Sequence, residues 1–104
     1  MADYRVDIAP SALEQIESAY DEIHKDSPEN AAAWLQKLHQ AIDSLEYFPR
    51  RCGIIRENNA FDDDVRERLH YSHRILFSID EQNQIVKVHA IRHAARDDLE
   101  GNEL

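Results

Sequence analysis

The chain has 104 residues, 12 of them Lys or Arg and 21 Asp or Glu, for a formal charge of −9, and it holds a single cysteine, Cys52. A domain of this size hides roughly 60–70% of its unfolded surface, enough for one core, and a lone cysteine forms no intramolecular disulfide. The acidic balance argues against generic attraction to nucleic acid, where affinity comes from Lys and Arg, and no run approaches the ~20 apolar residues of a membrane span.

One domain over 1–104 is expected. With no apolar targeting run at the start and no cysteine pair, a reducing cytoplasm is the expected compartment.

Taken in order, Tyr4-Arg5-Val6-Asp7-Ile8 alternates and stops at Pro10, which predicts a short strand with Tyr4, Val6 and Ile8 on its buried face. Ser11 followed by Glu14 has capping-box spacing, and Leu13, Ile16, Tyr20 and Ile23 recur at intervals of three and four, so a helix is expected over 12–25. Ser27-Pro28-Glu29 restarts a helix: the serine caps, the proline suits the first helical position and the glutamate complements the positive end of the dipole. Ala31, Leu35, Leu38, Ile42 and Leu45, with Trp34 and Ala41 beside them, form its apolar stripe up to Pro49. Trp34, Tyr20 and Phe48 read as core residues. Two helices so closely joined make an antiparallel hairpin able to cover one face of a sheet.

Signals weaken over 50–64, where Arg50-Arg51-Cys52-Gly53 reads as a turn and Asn58-Asn59 and Asp62-Asp63-Asp64 as exposed loop. Strand patterning returns at Val65–Tyr71. Ile75, Phe77 and Ile79 then alternate with Arg74, Leu76 and Ser78, and Val86, Val88 and Ala90 with Lys87, His89 and Ile91. The polar run 80–84 joins these two strands into an antiparallel hairpin. The order is β-α-α-β-β-β: an α+β fold with a helical hairpin packed on a mainly antiparallel sheet, the first strand joining from the other side of the hairpin. Residues 97–104 are polar and acidic and are expected to be a flexible tail.

Charge divides along the chain. Residues 1–49 hold ten acids and three bases, residues 50–96 seven acids and nine bases, and the tail four acids. Eight of those nine bases are arginine, the side chain suited to bidentate recognition of carboxylate or phosphate.

In that order, the stretches YRVDIAPSALEQIESAYDEI, DSPENAAAWLQKLHQAIDSLEYFPRRCG, VRERLHYSHRILFSID and VKVHAIRHAARD resemble a toxin of the RelE/ParE superfamily of bacterial toxin–antitoxin (plasmid stabilization) modules, its ParE branch more than its RelE branch. Pro49 with Gly53, Arg74 and the His93–Arg96 close also fit. The resemblance implies a helical hairpin on a twisted antiparallel sheet and a small cognate antitoxin whose extended and helical segment wraps the toxin. It also implies one of two activities: poisoning of DNA gyrase in the ParE branch, or cleavage of mRNA on the ribosome in the RelE branch.

Cleavage through a 2′-hydroxyl needs a base, cations on the phosphate and an acid for the leaving oxygen. His93, Arg74, Arg96 and Glu67 supply those types, and some nucleases of the superfamily resemble this chain at Arg74 and His93. The aromatic that follows the histidine there is Ala94 here, and ribosome-targeted members are strongly basic. Gyrase inhibition is therefore the first expectation, endoribonuclease activity the alternative, and a non-toxic binding module of the same fold a third. For partner binding, Arg66, Arg68, Arg74, Arg92 and Arg96 are expected to receive acidic antitoxin side chains, since the acidic helical half repels them. Each has a bland counterpart: Arg74 pairing with Glu67 across the sheet, Arg66, Arg68 and His70 forming a solvated strand face, His93 serving as a structural histidine. No cofactor and no metal site are expected. His89 and His93, read on one strand face, lie about 13 Å apart, too far to share an ion.

Overall fold

A computed structural model describes residues 3–58 and 64–94. It contains β1 (Arg5–Ile8), α1 (Pro10–Asp26), α2 (Pro28–Asp43), two 3-10 turns (Ser44–Glu46 and Pro49–Arg51), β2 (Arg66–His70), β3 (His73–Asp80) and β4 (Ile85–His93). The fold is α+β. One sheet has the order β1-β4-β3-β2, with β1 parallel to β4 and the other pairs antiparallel. The helical hairpin separates β1 from the meander and lets it enter beside β4.

Helix α1 begins one residue before its expected cap. Ala9 is extended and Pro10 occupies the first turn, so the Ser11–Glu14 capping box does not form and no side chain caps the helix. That start places Ala12 and Ile16 in the core with Ala19, Tyr20 and Ile23 against it, whereas Leu13 is 49% exposed. Helix α2 follows expectation at its start: the Ser27 hydroxyl accepts the Asn30 amide at 3.2 Å. Its stripe of Ala31, Trp34, Leu38, Ala41 and Ile42 is buried, and Leu45 continues it on the 3-10 turn. Each large side chain in this stripe contributes about 1.5–3 kcal/mol by leaving water.

Phe48 is not a core residue. Pro49 disfavours helical geometry in the residue before it; Phe48 adopts a left-handed conformation (φ 48°), its ring is 74% exposed, and Pro49 takes the buried place. The Arg51 guanidinium pins this bend by donating to the carbonyls of Tyr47, Phe48 and Ser44.

In the sheet, the alternation expected for β4 breaks. Leu76 pairs with Ala90 but Phe77 with Val88, so β4 carries one extra residue, His89. A bulge of this kind reverses which face later residues occupy. Val86 and Val88 therefore face the helices, Ala90 turns to the opposite face, and Ile91 returns to the helical core. The bulge also overturns the shared face of His89 and His93: His89 meets Ser78 at 2.7 Å, whereas His93 packs on His73.

Beyond the end of β1, the Ile91 amide donates to Gln15 Oε1 at 2.8 Å, so α1 closes this length of strand edge. The sheet has a second, smaller core on the face away from the helices, made of Ile55, Val65, Leu76 and Ala90. The Asp80 carboxylate accepts from the Asn83 backbone and side chain in the β3–β4 turn, and the left-handed residue there is Gln84.

Candidate functional site

Sheet parity decides which candidate residues meet. Partners in register share a face. Arg66 pairs with Phe77 and Arg68 with Ile75, both core residues under the helices, so these two arginines leave from the helical side. His93, opposite His73 and next to Trp34 through it, belongs to that side too. Glu67, Arg74 and Arg92 lie on the other face with Leu76 and Ala90. The arginines do not form one face, and His93 is separated from Arg74 and Glu67 by the thickness of the sheet. Arg96 lies outside the described residues.

Arg74 is 1% exposed. Its two terminal nitrogens donate to the two carboxylate oxygens of Glu57, each at 2.8 Å, and its Nε donates to Glu67 at 2.7 Å. The hydrogen bonds it donates to Glu57, and then to Glu67, raise the guanidinium above an ordinary arginine against the opposing effect of burial. The planar fork is thus engaged inside the fold. It also neutralises a crowded place, because Arg92 is the direct register partner of Arg74. Glu57 carried no signal in the sequence: it lies in the least patterned segment and reaches Arg74 only when 54–57 folds back over the sheet.

On the helical side, the end of the sheet is packed with rings. Trp34 of α2 lies 5.7 Å from His70 and 5.4 Å from His73, and His73 lies 5.3 Å from His93. His70 is buried; its Nε2 donates to the Trp34 carbonyl at 3.1 Å. Burial lowers its affinity for a proton, with Arg68 and Lys37 adding to the effect and the carbonyl opposing it. His70 is therefore not part of a solvated strand face. Around this cluster runs a groove of about 280 Å³ lined by α1 (Glu22, Ile23), α2 (Trp34) and the strand ends (Tyr71, His73, His93).

Arg66 donates to the carbonyls of Cys52 (2.6 Å) and Arg50 (3.3 Å) and borders a polar cleft of about 440 Å³ with Arg50, Lys87, Asp64, Asp80 and Glu81. The cleft mixes both signs, and Glu81 already holds Arg50 at 2.6 Å and the Tyr4 hydroxyl at 2.8 Å. Among the described residues, no group of three or more His, Cys, Asp or Glu is placed to hold a metal ion. No helix among them is long and apolar enough to cross a membrane.

The fold of a helical hairpin on one face of a four-stranded sheet is shared with chains of solved toxin–antitoxin complexes. The chain is similar to a chain of the chromosomal ParDE system of P. aeruginosa (15% identity, 88% of this chain and 96% of that one, TM-score 0.71). It is also similar to chains of the archaeal RelE–RelB complex from Pyrococcus horikoshii OT3 (19% identity, 91% and 99%, TM-score 0.63) and of the RelBE2 complex from Mycobacterium tuberculosis (22% identity, 89% and 93%, TM-score 0.57). At these identities the likeness is one of fold. The family is shown by the sequence itself: the model for the ParE toxin of the type II toxin–antitoxin system parDE matches residues 6–98, and the chain belongs to that family. No curated protein sequence matches it.

Proposed function

We propose that this chain is a ParE-like toxin that acts by binding a macromolecular target such as DNA gyrase, in the cytoplasm, and that a cognate antitoxin neutralises it. The observation that carries the binding reading against an RNA-cleaving one is the separation of His93 from Arg74 and Glu67. A phosphodiester under attack needs its acid, base and charge-stabilising cation within hydrogen-bond reach of one phosphate. Residues on opposite faces of a sheet do not meet that condition, and the Arg74 fork is already spent on two carboxylates.

The antitoxin reading draws on the charge division of the chain. Acidic antitoxin side chains suit Arg66 and Arg68 on the helical side and, separately, Arg92 on the other face, with Arg96 proposed beside them from the sequence, while apolar anchors suit the helices. Arg74, buried and held by Glu57 and Glu67, leaves the set of partner-binding arginines.

Purified protein separates the activities. Inhibition of gyrase supercoiling without RNA cleavage is the expected result, unchanged in His93→Ala. Translation-dependent mRNA cleavage that disappears in His93→Ala would establish the endoribonuclease instead, and harmless expression without an antitoxin would leave a binding module.

A further inference from the structure

The bulge in β4 brings a histidine to a serine at the edge of a cleft. His89 is the extra residue there and has no register partner, since Leu76 pairs with Ala90 and Phe77 with Val88. Its ring reaches along the sheet to β3, where Nε2 meets the Ser78 hydroxyl at 2.7 Å. That is within the distance over which an imidazole takes a hydroxyl proton, and bulges recur beside active sites, where they re-aim a side chain.

Ser78 lines the polar cleft of about 440 Å³ together with Ile79 and Lys87. Lys87 is the register partner of Ser78, so the two share a face, and among the described residues no carboxylate holds Lys87 in an ion pair. A backbone donor is open there too. The Glu67 amide points away from β3, to the Gly53 carbonyl at 3.0 Å, and backbone groups alternate in direction along a strand. Arg66 therefore turns its backbone to β3, and its partner Phe77 turns its own to β2. Ile79, two residues on, presents its N–H on that same side of β3, past the first residue of β2. The Ile79 amide thus faces the cleft, next in sequence to Ser78.

We propose that Ser78 and His89 form a nucleophile–base pair that hydrolyses carboxylic esters of small polar acyl groups. The Ser78 oxygen attacks the ester carbonyl carbon as His89 takes its proton, and the charge that develops on the carbonyl oxygen meets the Ile79 N–H and the Lys87 ammonium. The intermediate collapses by breaking the ester C–O bond, and the departing oxygen takes the proton from His89 to leave as the alcohol. Water then attacks the acyl–serine, with His89 again moving the proton, and releases the carboxylic acid and free Ser78. Among the described lining residues Ile79 is the one apolar side chain, so the cleft has no slot for a long acyl chain and suits a short polar one. This activity is additional to the toxin reading and independent of it.

The test uses the intact protein at pH 8, with a fluorophosphonate probe that phosphonylates an activated serine and with p-nitrophenyl acetate as substrate. Peptide mass spectrometry is expected to find the probe on Ser78 in the native protein and not in protein unfolded in urea. Release of p-nitrophenol should exceed that of Ser78→Ala by about tenfold or more. The part of the rate that depends on Ser78 should fall about a hundredfold or more in His89→Gln. Ser18→Ala, on the exposed side of α1, should change neither labelling nor hydrolysis.

No label on Ser78, or equal labelling of native and unfolded protein, would overturn the assignment. Both outcomes are read on the parent chain and stand even where a variant does not fold. Equal hydrolysis by the parent and Ser78→Ala, or full activity in His89→Gln, would overturn it as well.

Discussion

Arg74 and His70 are the two buried polar side chains among the described residues, and they hold their places by opposite means. Arg74 keeps its charge because two carboxylates surround it. Removing one partner of such a cluster strands the others, at a cost of about 3–5 kcal/mol, whereas apolar replacement of the cluster as a whole is often close to neutral. Arg74→Met is therefore expected to lower stability in chemical denaturation by about that amount, and Arg74→Met combined with Glu57→Leu to recover part of it. A double variant no more stable than the single one would show that Glu57 does not depend on Arg74. His70 keeps its place by staying neutral. Its proton affinity is lowered in the fold, so the unfolded chain takes up a proton first as pH falls. The stability that neutral His70 contributes is thus complete above about pH 6.5, the ordinary histidine value, and is lost as pH falls through that value toward its lowered one. Denaturation midpoints measured from pH 8 down to 5 should fall less steeply in His70→Gln than in the parent chain.

Among the elements, the connection from α2 to β2 departs most from its pattern. Phe48 combines a left-handed backbone with an exposed aromatic ring, although asparagine and glycine take that conformation at lower cost. The ring buries little, so Phe48→Asn is expected to stabilise the fold by up to about 1 kcal/mol, read as a rise in melting temperature. A drop would mean that the ring packs on the rim it shares with Tyr4 and Pro49. The bulge in β4 is the other local departure. By inserting His89 it brings Val88 and Ile91, three residues apart, to the same large core, with Ala90 in the small one between them, whereas a regular strand would put Val88 and Ile91 on opposite faces.

For the whole molecule, sequence patterning and tertiary structure answered different questions. Local patterning located the Trp34–Leu38–Ile42 stripe, the Ser27 cap, the strand at Tyr4–Ile8 and the turn before Ile85, because each depends on residues close to one another along the chain. The α+β class and the β-α-α-β-β-β order followed from their succession, and the excess of arginine over 50–96 was plain from composition. The sequence could not say on which face each arginine emerges. That depends on the pairing of β2 with β3 and on one extra residue in β4, both long-range facts of register. Nor could it say that Glu57, from an unpatterned loop, would occupy the Arg74 fork, or that His89 would meet Ser78 across the sheet. Local periodicity located most of the buried stripe but not Arg74, and it placed Leu13 and Phe48 in a core from which the structure excludes them. Only the tertiary structure decides which charges meet in the interior, because Arg74 takes its partners Glu57 and Glu67 from a loop and a neighbouring strand and not from its own.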